Sequence, residues 1–238
     1  AYDARNRFVA DPEYMGNLLD HMLSDETAAK LARLIDSKRA SDTPPPLAAD
    51  IHAAAQKDTV YLTTADREGM VVSMIYSIFY PFGSGYASSK FGINFQNRGA
   101  GFTLAEGHPN ELKGGKRPMH TIIPAMIRRN GKVIASYGVM GGQYQSAGHI
   151  RVLSNMFDFG MSPQEALDAA RSFPDPDSGM LQIERGYSDE VKAELAAMGH
   201  QLAEPDMPIG GGQMIRIHEN GVYEAASDPR KDGCALGY

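Results

Sequence analysis

Apolar and polar positions change their period near residue 59, and that change divides the chain. Ahead of it, Ser24 is placed to cap a helix in which Leu31, Leu34 and Ile35 recur at helical spacing, ending near Lys38-Arg39. Residues 1–40 are therefore expected to be helical. The next run, SDTPPPLAADIHAAAQKD from Ser41 to Asp58, carries Pro44, Pro45 and Pro46, which remove backbone donors and exclude helix there. It reads as a linker, with one further turn at Ile51 to Gln56.

From Thr59 the pattern is that of strands. TVYLTTAD, the turn DREG and MVVSMIYSIFY predict an antiparallel hairpin whose second strand, nearly all apolar, is expected to be central. Residues 83–118 are rich in glycine and polar groups, a long irregular segment of the kind that builds sites. Strands return over MHTIIPAMIRRNGKVIASYGVMGG, turning at Asn130-Gly131. Ile150, Leu153, Met156 and Phe157 fit a helix from Gln145 to Phe159, and Ser162-Pro163-Gln164-Glu165 forms a capping box for another. A third helix is predicted over Ser188 to Met198, and the last hairpin turns at Asn220-Gly221. Strands at both ends with helices between them predict an α+β domain with mainly antiparallel sheets.

Composition narrows the function. The chain has 238 residues, 42% of them hydrophobic, enough for a real core. Its net charge of −6 is spread along the sequence, so no basic patch marks a nucleic-acid binder. No apolar run approaches the roughly 20 residues of a membrane span. The chain opens on Ala1 without an initiator methionine, which suggests a fragment whose targeting segment lies upstream. A single cysteine, Cys234, excludes an internal disulfide and reads as a passive thiol. His108, His149, His200 and His218 show no ligand spacing, so neither a metal nor another cofactor is indicated. Met119, Met126 and Met140 read as core filler.

Thr59 holds the chemical interest. Within a continuous chain its β-branched side chain simply suits a strand. As the first residue of a new chain it would be both nucleophile and base, because an α-amino group titrates near pH 8 and accepts the hydroxyl proton at neutral pH.

Five segments, DTVYLTTADREGMVVSMIYSIFYPFGSG, GKRPMHTIIPAMI, GVMGGQYQ, DFGMSPQEALDAAR and ASDPRKDG…GY, resemble the γ-glutamyltranspeptidase family in that order. The opening AYDARNRFVADPEYMG resembles the end of that family's large subunit. The resemblance implies an N-terminal-nucleophile hydrolase fold, an αββα sandwich, matured by self-cleavage between Asp58 and Thr59. It divides the chain into a large-subunit tail (1–40), a linker (41–58) and a small catalytic subunit (59–238). The rest of the large subunit is then a partner, and the compartment is periplasmic or secreted, with the cytoplasm left open.

By the same resemblance Ser77 assists the nucleophile, and the amides of Gly141 and Gly142 stabilise a tetrahedral oxyanion. The chain departs from the family at the substrate pocket. Arg98 and Gly101 stand where acidic residues hold a substrate ammonium, Phe79 replaces an asparagine, His120-Thr121 replaces paired serines, and Val60 replaces a second threonine. An arginine cannot take over from a carboxylate facing an ammonium, because the sign of the interaction reverses. Two acyl groups follow: γ-glutamyl, or a glutaryl-like group bearing a carboxylate and no α-amino group, as in the cephalosporin-acylase branch. A third reading is a relative that stays uncut, since Thr59 without a free amine is inert toward amides.

Overall fold

In the computed structural model, residues 2–41, 59–175 and 178–238 are described. The linker prolines, the turn at 51–56 and Asp58 lie outside them. The N-terminal piece holds three helices, α1 (Tyr2–Phe8), α2 (Leu18–Met22) and α3 (Asp25–Ala32). Ser24 caps α3 by accepting from the Thr27 amide, as its position predicts. The helix stops at Ala32, short of Lys38, and Leu34 and Ile35 are exposed beyond it. Helical spacing extends a short helix only where its apolar face finds something to bury against.

β1 (Thr59–Ala65) and β2 (Val71–Ser77) form the predicted antiparallel hairpin in register from Thr59↔Ser77 to Ala65↔Val71. A second sheet has the order β3-β4-β8-β9, built from Ala125–Arg129, Lys132–Met140, Gly211–Ile217 and Tyr223–Ser227, all antiparallel. Asn130 and Gly131 both have positive φ, which a two-residue hairpin turn requires.

The hairpin lies across this sheet. Gly138 of β4 is what allows it, since a Cβ there would sit 2.3 Å from the Tyr61 ring. Tyr61 and Thr63 both hydrogen-bond the Ser136 hydroxyl. On the opposite face of the sheet lie α4 (Gln145–Phe157) and α5 (Pro163–Asp168), the latter started by the predicted capping box on Ser162. Tyr137, Val139, Val152, Met156, Leu167 and Met214 form the core beneath these helices.

The second strand is not central among the described residues, contrary to the expectation from its apolar run. β2 pairs with β1 alone, and Val72, Met74 and Tyr76 are exposed beside Val60 and Leu62 on the outer face. Three short strands, β5 (Ser172–Pro174), β6 (Leu181–Ile183) and β7 (Leu202–Ala203), form a further sheet, and α6 (Asp189–Ala197) starts from its cap Ser188. None of the described helices is long and apolar enough to cross a membrane.

The N-terminal piece is tied to the rest by polar contacts. Tyr2 donates to the Gln143 carbonyl at 2.6 Å, and Arg5 to the Gln143 side chain at 2.5 Å. Asp11 accepts from the backbone and guanidinium of Arg117, which hold its carboxyl at about 2.

A pH dependence is built into α4. His149 is buried against Tyr137 and accepts from the Val139 amide, and burial pushes it down to about 4, partly offset by a hydrogen bond with the Ile123 backbone. A histidine lowered in the folded state leaves the unfolded chain binding the proton first. Its contribution is complete above the unfolded value near 6.5 and is lost as the pH falls from there toward 4. Urea unfolding is expected to show a loss on the order of 2 kcal/mol between pH 7.5 and 4.5. In His149→Gln that slope should flatten.

Candidate active site

The site begins at the open end of the β1–β2 hairpin. Antiparallel pairing puts the first residue of β1 opposite the last of β2, so Thr59 and Ser77 are Cα partners. The Thr59 hydroxyl donates to Ser77 Oγ at 3.1 Å. That oxygen also accepts from the Phe79 amide at 3.1 Å and from Arg98 Nη2 at 3.0 Å. Phe79 reaches this position with φ at +79°, a conformation a side chain of its size avoids.

Arg98 opens a single 3-10 turn, Arg98–Gly101, in the irregular segment. Its guanidinium lies 4.7 Å from the Phe79 ring centre, and Nη1 donates to Thr121 Oγ1 at 3.3 Å. The residue is 3% exposed, and no described carboxylate makes a salt bridge with it. Burial lowers its pKa, yet a guanidinium keeps its charge in any protein setting. The site thus holds a desolvated positive charge one hydrogen bond away from the Ser77 hydroxyl.

His120, Thr121 and Gly101 are gathered near Arg98. Burial, then the charges of Arg98 and Arg117, push His120 below the ordinary histidine value, so it is neutral at pH 7. Gly101 offers no side chain, and a Cβ there would crowd the Met119 carbonyl at 3.2 Å. Its own carbonyl accepts from Asn110 Nδ2 at 2.6 Å, while Asn110 Oδ1 accepts from the Met119 amide at 3.1 Å. Asn110 therefore fastens the Arg98 turn to the His120-Thr121 segment, a role its sequence position did not signal.

Gly141 and Gly142 directly follow β4, with φ at +124° and +56°. Met140, just before them, lines with Thr59 a cavity of about 360 Å³ that is also bounded by Lys231, Asp232 and Cys234. Among the described residues no hydrogen bond joins the glycine pair to Thr59 or Ser77. The pair is held from elsewhere. A Cβ on Gly141 would meet Gly210 Cα at 2.8 Å, so the two backbones touch. With its amide turned to satisfy its neighbours, buried Gln145 donates to the carbonyls of Thr121 and Val139, at 2.9 and 3.2 Å.

Gly210 follows Ile209, whose carbonyl accepts from Arg171 Nη1 at 2.8 Å and whose amide donates to Glu184 Oε1 at 3.2 Å. Arg171 is buried against Asp228, and Arg230 bridges Asp228 and Glu184. These four residues anchor the strand that backs the glycine turn. Among the described residues no group of three His, Cys, Asp or Glu side chains is arranged to hold a metal ion.

The whole chain, residues 1–238, matches the gamma-glutamyltranspeptidase family model. The chain belongs to this family. It is 33% identical to the oxamate amidohydrolase proenzyme of Klebsiella pneumoniae, over 100% of this chain and 45% of that protein. The structure of cephalosporin acylase from Bacillus halodurans superposes with a TM-score of 0.86 at 35% identity, covering 100% of this chain and 43% of that one. Gamma-glutamyltranspeptidase from Pseudomonas nitroreducens, complexed with L-DON, gives 0.68 at 26% identity, over 75% of this chain and 98% of the matched one. The chain spans less than half the length of the curated relatives it matches. Its fold is that of the N-terminal-nucleophile hydrolases to which these neighbours belong, as the resemblance implies. The β1–β2 hairpin, the four-stranded sheet and the α4–α5 layer supply three successive layers of the αββα sandwich.

Proposed function

We propose that this chain carries the catalytic half of a family amidohydrolase in which Thr59, freed by cleavage of the Asp58–Thr59 bond, is the nucleophile. Its hydroxyl attacks the substrate amide, its own amine takes the proton, and the leaving nitrogen is protonated in turn. Ser77 holds the hydroxyl in place, and the amides of Gly141 and Gly142 receive the oxyanion. Water, or an acceptor amine, then releases the acyl group from Thr59. The observation that carries this reading is the 3.1 Å hydrogen bond from the Thr59 hydroxyl to Ser77 at the head of β1.

The share of the chain matched by the Pseudomonas nitroreducens structure supports the boundary, since residues 59–238 make up roughly three-quarters of the sequence. The outer face of the hairpin, with Val60, Leu62, Val72, Met74 and Tyr76 exposed, is the place for the large-subunit segment to cover.

For the acyl group, Arg98 favours a carboxylate without an α-amino group beside it. A buried cation lacking a counter-ion is costly, and an anionic substrate removes that cost. An ammonium on the same group would be repelled. The Klebsiella relative is named for oxamate, which has a carboxylate and no α-amino group. The alternative, γ-glutamyl transfer, has the family name in its favour.

Intact mass and N-terminal sequencing of the full-length protein after incubation at neutral pH test the first part. A new chain beginning Thr-Val-Tyr-Leu is expected; a protein that stays whole removes Thr59 from the mechanism. Comparing glutaryl-p-nitroanilide with γ-glutamyl-p-nitroanilide tests the second. A higher kcat/KM for the glutaryl compound is expected, and a clear preference for γ-glutamyl would end the case for Arg98 as a carboxylate site.

A further inference from the structure

We propose that Tyr2 and Arg5, which lie ahead of the proposed cut, are positioning residues for the Gly141 and Gly142 amides. This rests on the roles proposed above for Thr59 and the glycine pair. Two successive glycines have no side chains to fix their torsions, and both stand at positive φ, so the direction of their amides is set by whatever holds the two ends of the turn. The sheet fixes the upstream end, where Met140 pairs with Gly211. The downstream end is Gln143, in the 3-10 turn Gly142–Tyr144 that leads into α4.

Gln143 is buried, and α1 holds both its main chain and its side chain. The Tyr2 hydroxyl donates to the Gln143 carbonyl at 2.6 Å and accepts from Ser146 Oγ at 2.9 Å, so one phenol ties the turn to the start of α4. Arg5 Nη1 donates to Gln143 Oε1 at 2.5 Å. The guanidinium is itself aimed, since Nε and Nη2 donate to Asn6 Oδ1 at 3.0 and 2.7 Å and the group lies 4.6 Å from the centre of the Tyr2 ring. That ring meets Phe173 edge-on at 5.9 Å. Tyr2 and Arg5 therefore grip one residue as a unit.

Neither residue takes part in the chemistry. An oxyanion hole works by having its donors already aimed where charge develops, so a turn left free to rotate loses rate rather than ground-state affinity. Acylation and deacylation both pass through an oxyanion, so kcat reports the alignment whichever step limits it. Because α1 precedes Asp58, the processed enzyme draws part of this alignment from the other piece of the cut chain.

The test uses the full-length protein and its variants, with whichever of the two anilides the parent turns over faster. Tyr2→Phe keeps the ring against Phe173 and removes only the hydroxyl; Arg5→Met removes the donor to Gln143. In each, kcat is expected to fall about ten- to hundredfold, short of the roughly 100- to 1,000-fold that removing a donor outright costs, with KM within about threefold of the parent. In a Gln143→Met background, Arg5→Met should cost nothing further, since its partner oxygen is already gone. An Arg5 that served the fold in general would go on lowering activity there. Parental kcat in Tyr2→Phe, a loss carried by KM alone, or an Arg5→Met effect that persists beside Gln143→Met overturns the proposal. So does a variant that is no longer cut, or that melts more than about ten degrees below the parent, because the contacts then serve folding. With a parent that is cut at Thr59 and active, those results leave the reading of Thr59 standing. A parent that stays uncut, or is inert toward both anilides, takes both down.

Discussion

Thr59→Ala in the full-length protein is expected to leave the chain uncut and to lower amide hydrolysis by about four orders of magnitude or more. Both effects have one cause. The hydroxyl proposed to attack the Asp58 carbonyl during processing is the one proposed to attack the substrate afterwards. Thr59→Ser, which keeps the oxygen, should still be cut and retain turnover. Thr59 is only partly buried and its hydroxyl contacts Ser77, so the alanine variant should melt within a few degrees of the parent. Loss of activity in a protein of unchanged stability separates chemistry from folding. Normal processing of Thr59→Ala would place the nucleophile elsewhere.

Asp228→Ala should act in the opposite way, through stability first. Asp228 is fully buried and accepts from Arg171, while its Oδ1 accepts from Arg230 Nη1 at 3.2 Å and from the Arg230 amide at 3.0 Å. Two arginines, Asp228 and Glu184 balance one another in this cluster. Removing one acid leaves a buried guanidinium uncompensated, which typically costs about 3–5 kcal/mol. Urea unfolding should show a loss of that order, in Asp228→Asn as well, since its single amide oxygen can serve only one of the two arginines and its NH2 would face the other. Activity should fall too, since Arg171 and Glu184 hold Ile209 by its carbonyl and amide, and the next residue, Gly210, touches Gly141. A loss under about 1 kcal/mol would mean that Arg171 is neutralised by its carbonyl partners alone.

The hairpins and helix starts were legible because their signals are local. Asn130-Gly131 has the residues that tolerate positive φ, and Ser24, Ser162 and Ser188 each cap the helix that follows. The strands β5, β6 and β7 were not, since two or three residues carry no periodicity. The run of β2 misled for a related reason. Continuous apolar sequence reports burial on both faces, and the outer face has no cover among the described residues.

The site divides along the same line. The resemblance of five segments to the family, and no residue type by itself, pointed to Thr59, Ser77, Arg98 and the Gly141-Gly142 pair, and the reversal of charge at Arg98 was legible only against that family's pattern. That Arg98 bonds to the very oxygen that holds the Thr59 hydroxyl was decided by the fold, because 21 residues separate Arg98 from Ser77. The same holds for Asn110, Gln145 and the Arg171–Asp228–Arg230–Glu184 cluster. Their side chains are ordinary polar residues until tertiary packing removes water and leaves each only its neighbours as partners. Sequence alone determined the local turns, the caps and the hydroxyl that Thr59 offers as the proposed nucleophile. Distances between groups remote along the chain, such as that from Arg98 to the Ser77 hydroxyl, belong to the tertiary structure, since only packing brings such groups together.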